Sequence, residues 1–205
     1  LQKLLKETPE ETLIRMPDIQ SPLGVAELMW DESFYIHLIT DPKEVHSLLE
    51  TISEFIINYV KALQSVLVNR CNPCCFPQIW SPHEGYYMAD DTNSMVSPEM
   101  HAEFSVDYIN RITKEVGPIC YHSCTWSEQY YQNIDAIENA REKNWSIIVS
   151  SDPKEIIDYF SGKTLLSPHI HLDMHKQLKD TELEAKFKSE YDVVKYLLEN
   201  MKENT

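Results

Sequence analysis

The sequence predicts an α/β protein in which parallel strands alternate with helices, and three observations support this prediction. Short apolar runs of strand length alternate with longer segments of helical periodicity. The helical segments open on recurring start signals, namely Asp41-Pro42, Ser97-Pro98 and Asp152-Pro153. Polar residues that can carry chemistry directly follow the strand-like runs, as they do at the carboxyl ends of parallel strands.

The composition is that of a folded chain with a strong acidic bias. Of 205 residues, 42% are hydrophobic and 25% are charged, which is typical of a globular domain, and we predict a single domain over residues 1–205. The net charge of −15 repels phosphate backbones and anionic headgroups, so we expect no nucleic-acid and no membrane partner. With no signal-peptide pattern at its start, the chain is expected to be cytoplasmic.

The cysteine and glycine content argues against two further classes of protein, disulfide-stabilised domains and nucleotide-binding domains with a glycine-rich loop. Five cysteines are few and odd in number, which argues against a disulfide framework. Cys71-x-x-Cys74 has zinc-knuckle spacing, but no second pair follows, so reduced thiols in a loop are the favoured interpretation. The four glycines lie far apart, so the chain has no phosphate-binding glycine loop.

Each element is predicted from local signals. Asp41 caps a long amphipathic helix over 41–66, with apolar residues at helical spacing. Further helices begin at Ser97 and Asp152, and a last one covers 190–201. The strand-like runs are 86–90, 118–122, 146–150 and 164–171.

Asp90 and Asp91 end the first of these strands. As a catalytic pair, one carboxylate would act as general acid or base, or would bind a polar group. An equally weighted alternative is a turn in which Asp91 or Asn93 bonds local backbone amides.

His122 and Cys124 leave the next strand on alternate positions, so both side chains can point to one side of the sheet. Imidazole and thiolate are natural zinc ligands, and His171, which alternates with His169 along a later strand, is a candidate for a further metal ligand. For these two histidines, ordinary polar residues at a strand end are the favoured interpretation. From spacing alone, a partly buried cysteine beside a hydrogen-bonded histidine is slightly favoured. A catalytic Cys/His dyad is a weaker third interpretation, because residues two apart on a strand point in parallel.

Aromatic residues surround the expected mouth of the site. Tyr86 and Trp126, with neighbouring aromatic residues, would suit a flat ligand. Aromatic residues at strand ends more often simply cover the hydrophobic core. Glu84 falls in a predicted loop. We therefore predict Glu84, Tyr86 and Trp126 as cofactor-binding residues.

Several passages resemble the uroporphyrinogen decarboxylase superfamily. Residues 90–104 contain Ser97-Pro98-Glu99 after an aspartate, 118–124 end in His-x-Cys, and 18–26 and 40–45 resemble upstream segments of the family. The resemblance implies a (β/α)₈ TIM-barrel-like fold. In its corrinoid-linked methyltransferase branch, a His-x-Cys pair and a later cysteine hold zinc, which activates a thiol for methyl transfer from a corrinoid such as methylcobalamin.

His122 and Cys124 match the first two zinc ligands of that branch, but no cysteine follows Cys124. The third ligand would then be His169, His171, a carboxylate or a residue outside this chain. The decarboxylase branch uses an arginine-rich strand that has no counterpart here. We therefore expect a zinc-dependent methyltransferase acting on a small molecule or a corrinoid protein. Tetrapyrrole decarboxylation and a non-catalytic binding remnant are the alternatives.

The length also bears on the fold and on assembly. A complete barrel takes about 250 residues, so we expect a truncated barrel that lacks its first strand and possibly its last. Unpaired sheet edges favour self-association. The 41–66 helix also favours self-association, because apolar residues such as Ile56, Ile57 and Val60 nearly encircle it. We therefore predict a homodimer.

Overall fold

The computed structural model describes residues 1–30, 33–68, 70–72, 85–146, 150 and 152–169. The helices are α1 (Gln2–Glu7), α2 (Pro22–Met29), α3 (Phe34–Thr40), α4 (Pro42–Val66), α5 (Pro98–His101), α6 (Asp107–Val116), α7 (Tyr131–Asp135) and α8 (Pro153–Phe160). The strands are β1 (Ile14–Arg15), β2 (Cys71–Asn72), β3 (Tyr86–Ala89), β4 (Ile119–Ser123), β5 (Ala140–Ser146) and β6 (Leu165–His169). The prediction of an α/β fold is confirmed.

The described strands pair in parallel throughout. β3, β4, β5 and β6 lie side by side in chain order. β1 pairs with β2, and the chain beyond β1 reaches β3, where Gln20 forms a bridge with Ala89. Because parallel strands end at the same edge, the residues that follow β3, β4 and β5 meet there.

The two faces of the β3–β6 sheet differ in polarity, since successive side chains point to opposite sides. One face joins the main apolar core against the helices, with Tyr86, Met88, Ile119, Tyr121 and Trp145. On the other face, Ala89, His122, Asn144 and Ser167 are neighbours in one row across four strands. We call this second side the polar face. It carries the candidate site.

α4 confirms the predicted helix over 41–66, and it packs against α2 and α6. Asp41 occupies the predicted N-cap position, but its carboxylate bonds the side chains of Thr40 and His37 instead of a backbone amide. Ile56, Ile57 and Val60 are buried within their own chain, so they are not free to form the expected partner surface. No helix in the described part of the chain is both long enough and apolar enough to cross a bilayer.

The predicted starts of two later helices are confirmed. Ser97 Oγ accepts a hydrogen bond from the Met100 amide at 3.3 Å, and α5 continues through a π-helical segment, Ala102–Val106, into α6. Asp152 Oδ1 accepts from the Lys154 amide at 2.8 Å at the start of α8.

The position of the third predicted strand is wrong. β5 begins at Ala140, six residues before the predicted range 146–150, of which 147–149 lie outside the described residues. The run Arg141-Glu142-Lys143-Asn144 is typical of a surface loop, yet the last three residues are at most 3% exposed. Both faces of β5 are covered, so tertiary packing overrides local polarity. The predicted helix over 190–201 also lies outside the described residues.

Candidate metal centre

Three side chains with metal-ligating atoms converge where β3 and β4 end. Asp91 lies in a 3₁₀ turn directly after β3, His122 lies near the end of β4, and Cys124 follows it. His122 Nε2 is 3.4 Å from Cys124 Sγ and 3.6 Å from Asp91 Oδ1. One ligand atom from each of the three residues lies within 4.8 Å of the other two. The pairing of His122 with Cys124 predicted from the sequence is therefore confirmed as a contact, and the nearby carboxylate is that of Asp91.

The spacing of these atoms fits zinc. Bonds of about 2.0–2.3 Å to a tetrahedral zinc place neighbouring ligand atoms roughly 3.3–3.8 Å apart. The two distances from His122 Nε2 fall in that range, at 3.4 Å to sulfur and 3.6 Å to oxygen. Imidazole nitrogen, thiolate sulfur and carboxylate oxygen are all zinc donors, and a set of three leaves one position open for a substrate.

The ring of His122 is held in the orientation that a metal ligand needs. Its Nδ1 lies 2.5 Å from Asn144 Oδ1, and Asn144 Nδ2 donates to the Ser167 carbonyl oxygen. Because the amide oxygen can only accept, Nδ1 donates to it, and Nε2 is the ring nitrogen that faces Asp91 and Cys124. Such a hydrogen bond behind the ring is the usual support of a metal-bound histidine.

Hydrogen bonds from two neighbouring segments hold the loop that carries Cys124. Ser123 Oγ donates to Asn93 Oδ1 at 2.9 Å, and the Cys124 amide donates to Asp91 Oδ1 at 2.7 Å. From the other side, Ser150 Oγ donates to the Cys124 carbonyl oxygen at 3.2 Å. These bonds turn the chain after β4, so the His122 and Cys124 side chains converge. The expectation that residues two apart point in parallel is wrong here, because Cys124 lies beyond the strand.

Asp90 and Asp91 point to opposite sides of the sheet edge. Asp91 contacts the candidate ligands, and 41% of its side chain is exposed. Asp90 has no exposed surface and lies between the sheet and the helices. The structure therefore brings only Asp91 to the polar face.

Both oxygens of Asp90 accept hydrogen bonds from four side chains of distant segments. Oδ1 accepts from Ser21 Oγ at 2.6 Å and from Ser105 Oγ at 2.9 Å. Oδ2 accepts from Tyr121 Oη at 3.1 Å and lies 2.8 Å from His101 Nε2. Burial alone would raise the pKa of Asp90, but the hydrogen bond and charge of His101, with the hydroxyls, hold that pKa below its ordinary value.

The thiol of Cys124 is held protonated in the absence of a metal. Burial, followed by the charge of Asp91, raises the pKa of Cys124 to about 12. A catalytic Cys/His dyad requires a lowered thiol pKa, so the structure does not favour that interpretation. A metal ion displaces such a proton on binding, because the ligand is the thiolate.

Asp18 is a third acidic residue, whose charge reaches the centre and which the sequence analysis did not single out. It precedes Gln20, whose amide Nε2 lies 3.3 and 3.4 Å from the two Asp18 oxygens. Burial and then the charge of Asp91 raise the pKa of Asp18. From the sequence, it was placed only within the 18–26 segment that resembles the family, without a role.

Two of the other predicted site residues, Tyr86 and Trp126, are not brought to this centre. Tyr86 and Trp126 are 0% exposed and pack in the apolar core on the opposite face, where Trp126 contacts Trp145 and Phe160. Glu84 and His171 lie outside the described residues.

Comparisons with protein-family models and with curated proteins find no match to this chain.

Proposed function

We propose that this protein is a zinc-dependent methyltransferase that moves a methyl group from a corrinoid to a thiol. The observation that supports the proposal is the convergence of Asp91, His122 and Cys124 within 4.8 Å at the carboxyl ends of β3 and β4. Asp91 would take the place of the later cysteine expected from the resemblance. The chain order of the parallel strands β3 to β6 supports the further proposal that they form an arc of a (β/α)₈ barrel.

The three ligands and their supports have separate tasks. Cys124 and Asp91 supply two negative charges, and neutral His122 supplies a nitrogen lone pair aimed by Asn144. These residues would hold a zinc ion, which would lower the pKa of a coordinated substrate thiol and so supply a thiolate near neutral pH.

The methyl transfer requires no reactant besides the methylated corrinoid and the thiol. The thiol proton leaves to solvent, the thiolate sulfur donates an electron pair to the methyl carbon, and the carbon–cobalt bond breaks with its electron pair remaining on cobalt. The chain's residues orient the sulfur at the open edge of the sheet. Asp90, enclosed between sheet and helices, is assigned a positioning role, because its hydrogen bonds hold the turn from which Asp91 projects.

The first experiment is a zinc titration of chelator-treated protein, followed by an assay of methylcobalamin demethylation with 2-mercaptoethanol as acceptor. We expect one zinc per chain and loss of methylcobalamin only when zinc and thiol are both present. Cys124→Ala and Asp91→Ala should weaken zinc binding and abolish demethylation.

Cys71→Ala is the matched control, since Cys71 is also a half-buried free thiol but lies at β2. It should bind zinc and demethylate methylcobalamin like the unaltered chain. Failure to bind zinc, or zinc binding that survives both ligand substitutions, contradicts the proposed site. Zinc binding without demethylation contradicts the proposed reaction.

A further inference from the structure

Tyr87 lies against the candidate ligand His122 on the polar face of the sheet. Ala89 is paired in register with His122, and Tyr87 precedes Ala89 by two residues, so its side chain points to the same face of β3. The rings of Tyr87 and His122 are nearly parallel, with centroids 5.7 Å apart and an interplanar angle of 24°. This separation is within the range of stacked aromatic pairs. The tyrosine ring therefore packs against one face of the imidazole.

The stack adds a restraint that the hydrogen bond of His122 does not supply. The bond to Asn144 Oδ1 fixes the position of Nδ1 at one edge of the imidazole ring. A single contact at an edge leaves a ring able to tilt about that contact, and a flat side chain against its face removes this freedom. Asn144 and Tyr87 together set the direction of Nε2, the ring nitrogen that faces the other two candidate ligands.

The contacts of Tyr87 are local to the polar face. Its side chain is buried in a small cluster with Ala89 and Cys120, which is separate from the main apolar core. The preceding residue on the strand, Tyr86, packs in that main core on the opposite face. Changes to the Tyr87 ring are therefore expected to act first on its neighbours at the metal centre.

A bound metal ion would strengthen the stack. Zinc draws electrons from an imidazole that coordinates it, and the electron-rich face of an aromatic ring attracts a group with positive charge. The ring of Tyr87 therefore stabilises the metal-bound form of His122 more than its metal-free form. A contact of this kind raises the affinity of the centre for the metal.

We propose that Tyr87 is a positioning residue of the metal centre, whose ring holds the plane of the His122 imidazole and so aims Nε2 at the metal. The inference rests on the metal site of the proposed function and does not depend on the methyl-transfer reaction. Tyr87 supplies no metal ligand in this role. Its contribution is a flat aromatic face, so phenylalanine should replace it and an aliphatic side chain should not.

The test measures zinc affinity of the full chain by competition with a chromophoric chelator. It also records the visible absorption bands of the cobalt(II)-loaded chain, which report the geometry of the ligands. We expect Tyr87→Leu to lower zinc affinity about tenfold and to shift the cobalt bands. Tyr87→Phe should keep the zinc affinity within about twofold and leave the bands in place. Tyr87→Met also removes the flat face, with a flexible side chain that fills the gap, and replaces the leucine variant if that variant does not fold.

Tyr108→Leu is the matched control, because Tyr108 also stacks on a histidine but lies in α6, away from the sheet. Its ring centroid is 6.0 Å from that of His46, at an interplanar angle of 28°. The substitution should change neither the zinc affinity nor the cobalt bands. A loss of affinity as large as that of Tyr87→Leu would show that general destabilisation lowers metal binding, and would overturn the inference.

A double variant shows whether Tyr87 acts through His122. Because Tyr87 and Asn144 act on the same ring, the loss of zinc affinity in Tyr87→Leu combined with Asn144→Leu should be smaller than the product of the two single losses. A combined loss equal to that product overturns the inference. Unchanged affinity or unshifted cobalt bands in Tyr87→Leu, or an equal loss in Tyr87→Phe, also overturn it. Failure of the unaltered chain to bind zinc contradicts the proposed function instead.

Discussion

His122 and Asn144, paired across β4 and β5, are joined by a hydrogen bond of 2.5 Å from the back of the imidazole ring. Asn144 is fully buried, and its amide nitrogen is bound to the Ser167 carbonyl oxygen on β6. The orientation of a candidate ligand on β4 is therefore set by two neighbouring strands. The geometry of the site therefore depends on the pairing of the strands and not on one loop alone.

Replacing Asn144 should weaken metal binding without removing a ligand. We expect Asn144→Leu to lower zinc affinity by roughly 10–100-fold, because the proton on Nδ1 loses its acceptor and the ring loses its orientation. Asn144→Asp restores an acceptor and should recover part of that loss. Competition titration with a chromophoric zinc chelator measures both. Asn110→Ala, which removes two hydrogen bonds at Ala136 and Glu138, is the control and should leave zinc affinity unchanged.

Asp90 should contribute to stability in a pH-dependent way. Since its pKa is lower in the folded than in the unfolded chain, its contribution is present above the unfolded pKa and is lost as the pH falls through the folded value. Asp90→Asn should cost about 3 kcal/mol at neutral pH, and the difference should shrink in acid. Denaturant unfolding across pH measures it, and a difference independent of pH would contradict this account.

Lys143 should also make stability rise with pH, but in the alkaline range. Burial lowers its pKa to about 8, and its ammonium donates to the Ile134 carbonyl oxygen at 2.7 Å. Between that value and the ordinary pKa, the unfolded chain binds the extra proton, so stability rises with pH. Relative to Lys143→Met, the unaltered chain should therefore gain free energy of unfolding from about pH 8 to 10. A constant difference between the two would show that Lys143 does not titrate in this window.

Gly85 should resist substitution at the start of β3. Its φ is +140°, and a Cβ there would overlap the Pro118 carbonyl oxygen, which accepts from the Tyr86 amide. Gly162 has a φ of +75° but no atom within 4 Å of such a Cβ. We expect Gly85→Ala to lower the unfolding free energy by at least about 2 kcal/mol more than Gly162→Ala. Equal thermal denaturation midpoints would contradict the overlap.

Local signals explain what could be predicted of the fold. Pro42 and the periodicity after it predicted α4, and Ser97 and Asp152 predicted the starts of α5 and α8. Apolar runs predicted β3 and β4, where propensity and burial agree. The predicted position of β5 was wrong because the run Glu142-Lys143-Asn144 is polar in sequence, and only packing by neighbouring elements buries it.

The candidate site was predictable only in part. His122 and Cys124 could be found because their spacing and strand-end position are local features. The separation of Asp90 from Asp91 follows from the 3₁₀ turn after β3, which the sequence pattern does not specify. Asn144 joins the site through strand register, which depends on pairing between residues far apart in the chain.

Zinc-edge X-ray absorption of the zinc-loaded chain tests the central claim most directly, because it reports the atoms bound to the metal. Coordination by Asp91, His122 and Cys124 predicts one sulfur at about 2.3 Å and the remaining nitrogen and oxygen donors at about 2.0–2.2 Å. The sulfur signal should vanish in Cys124→Ala and persist in Cys71→Ala. A spectrum without sulfur, or a sulfur signal that survives Cys124→Ala, would contradict the assignment.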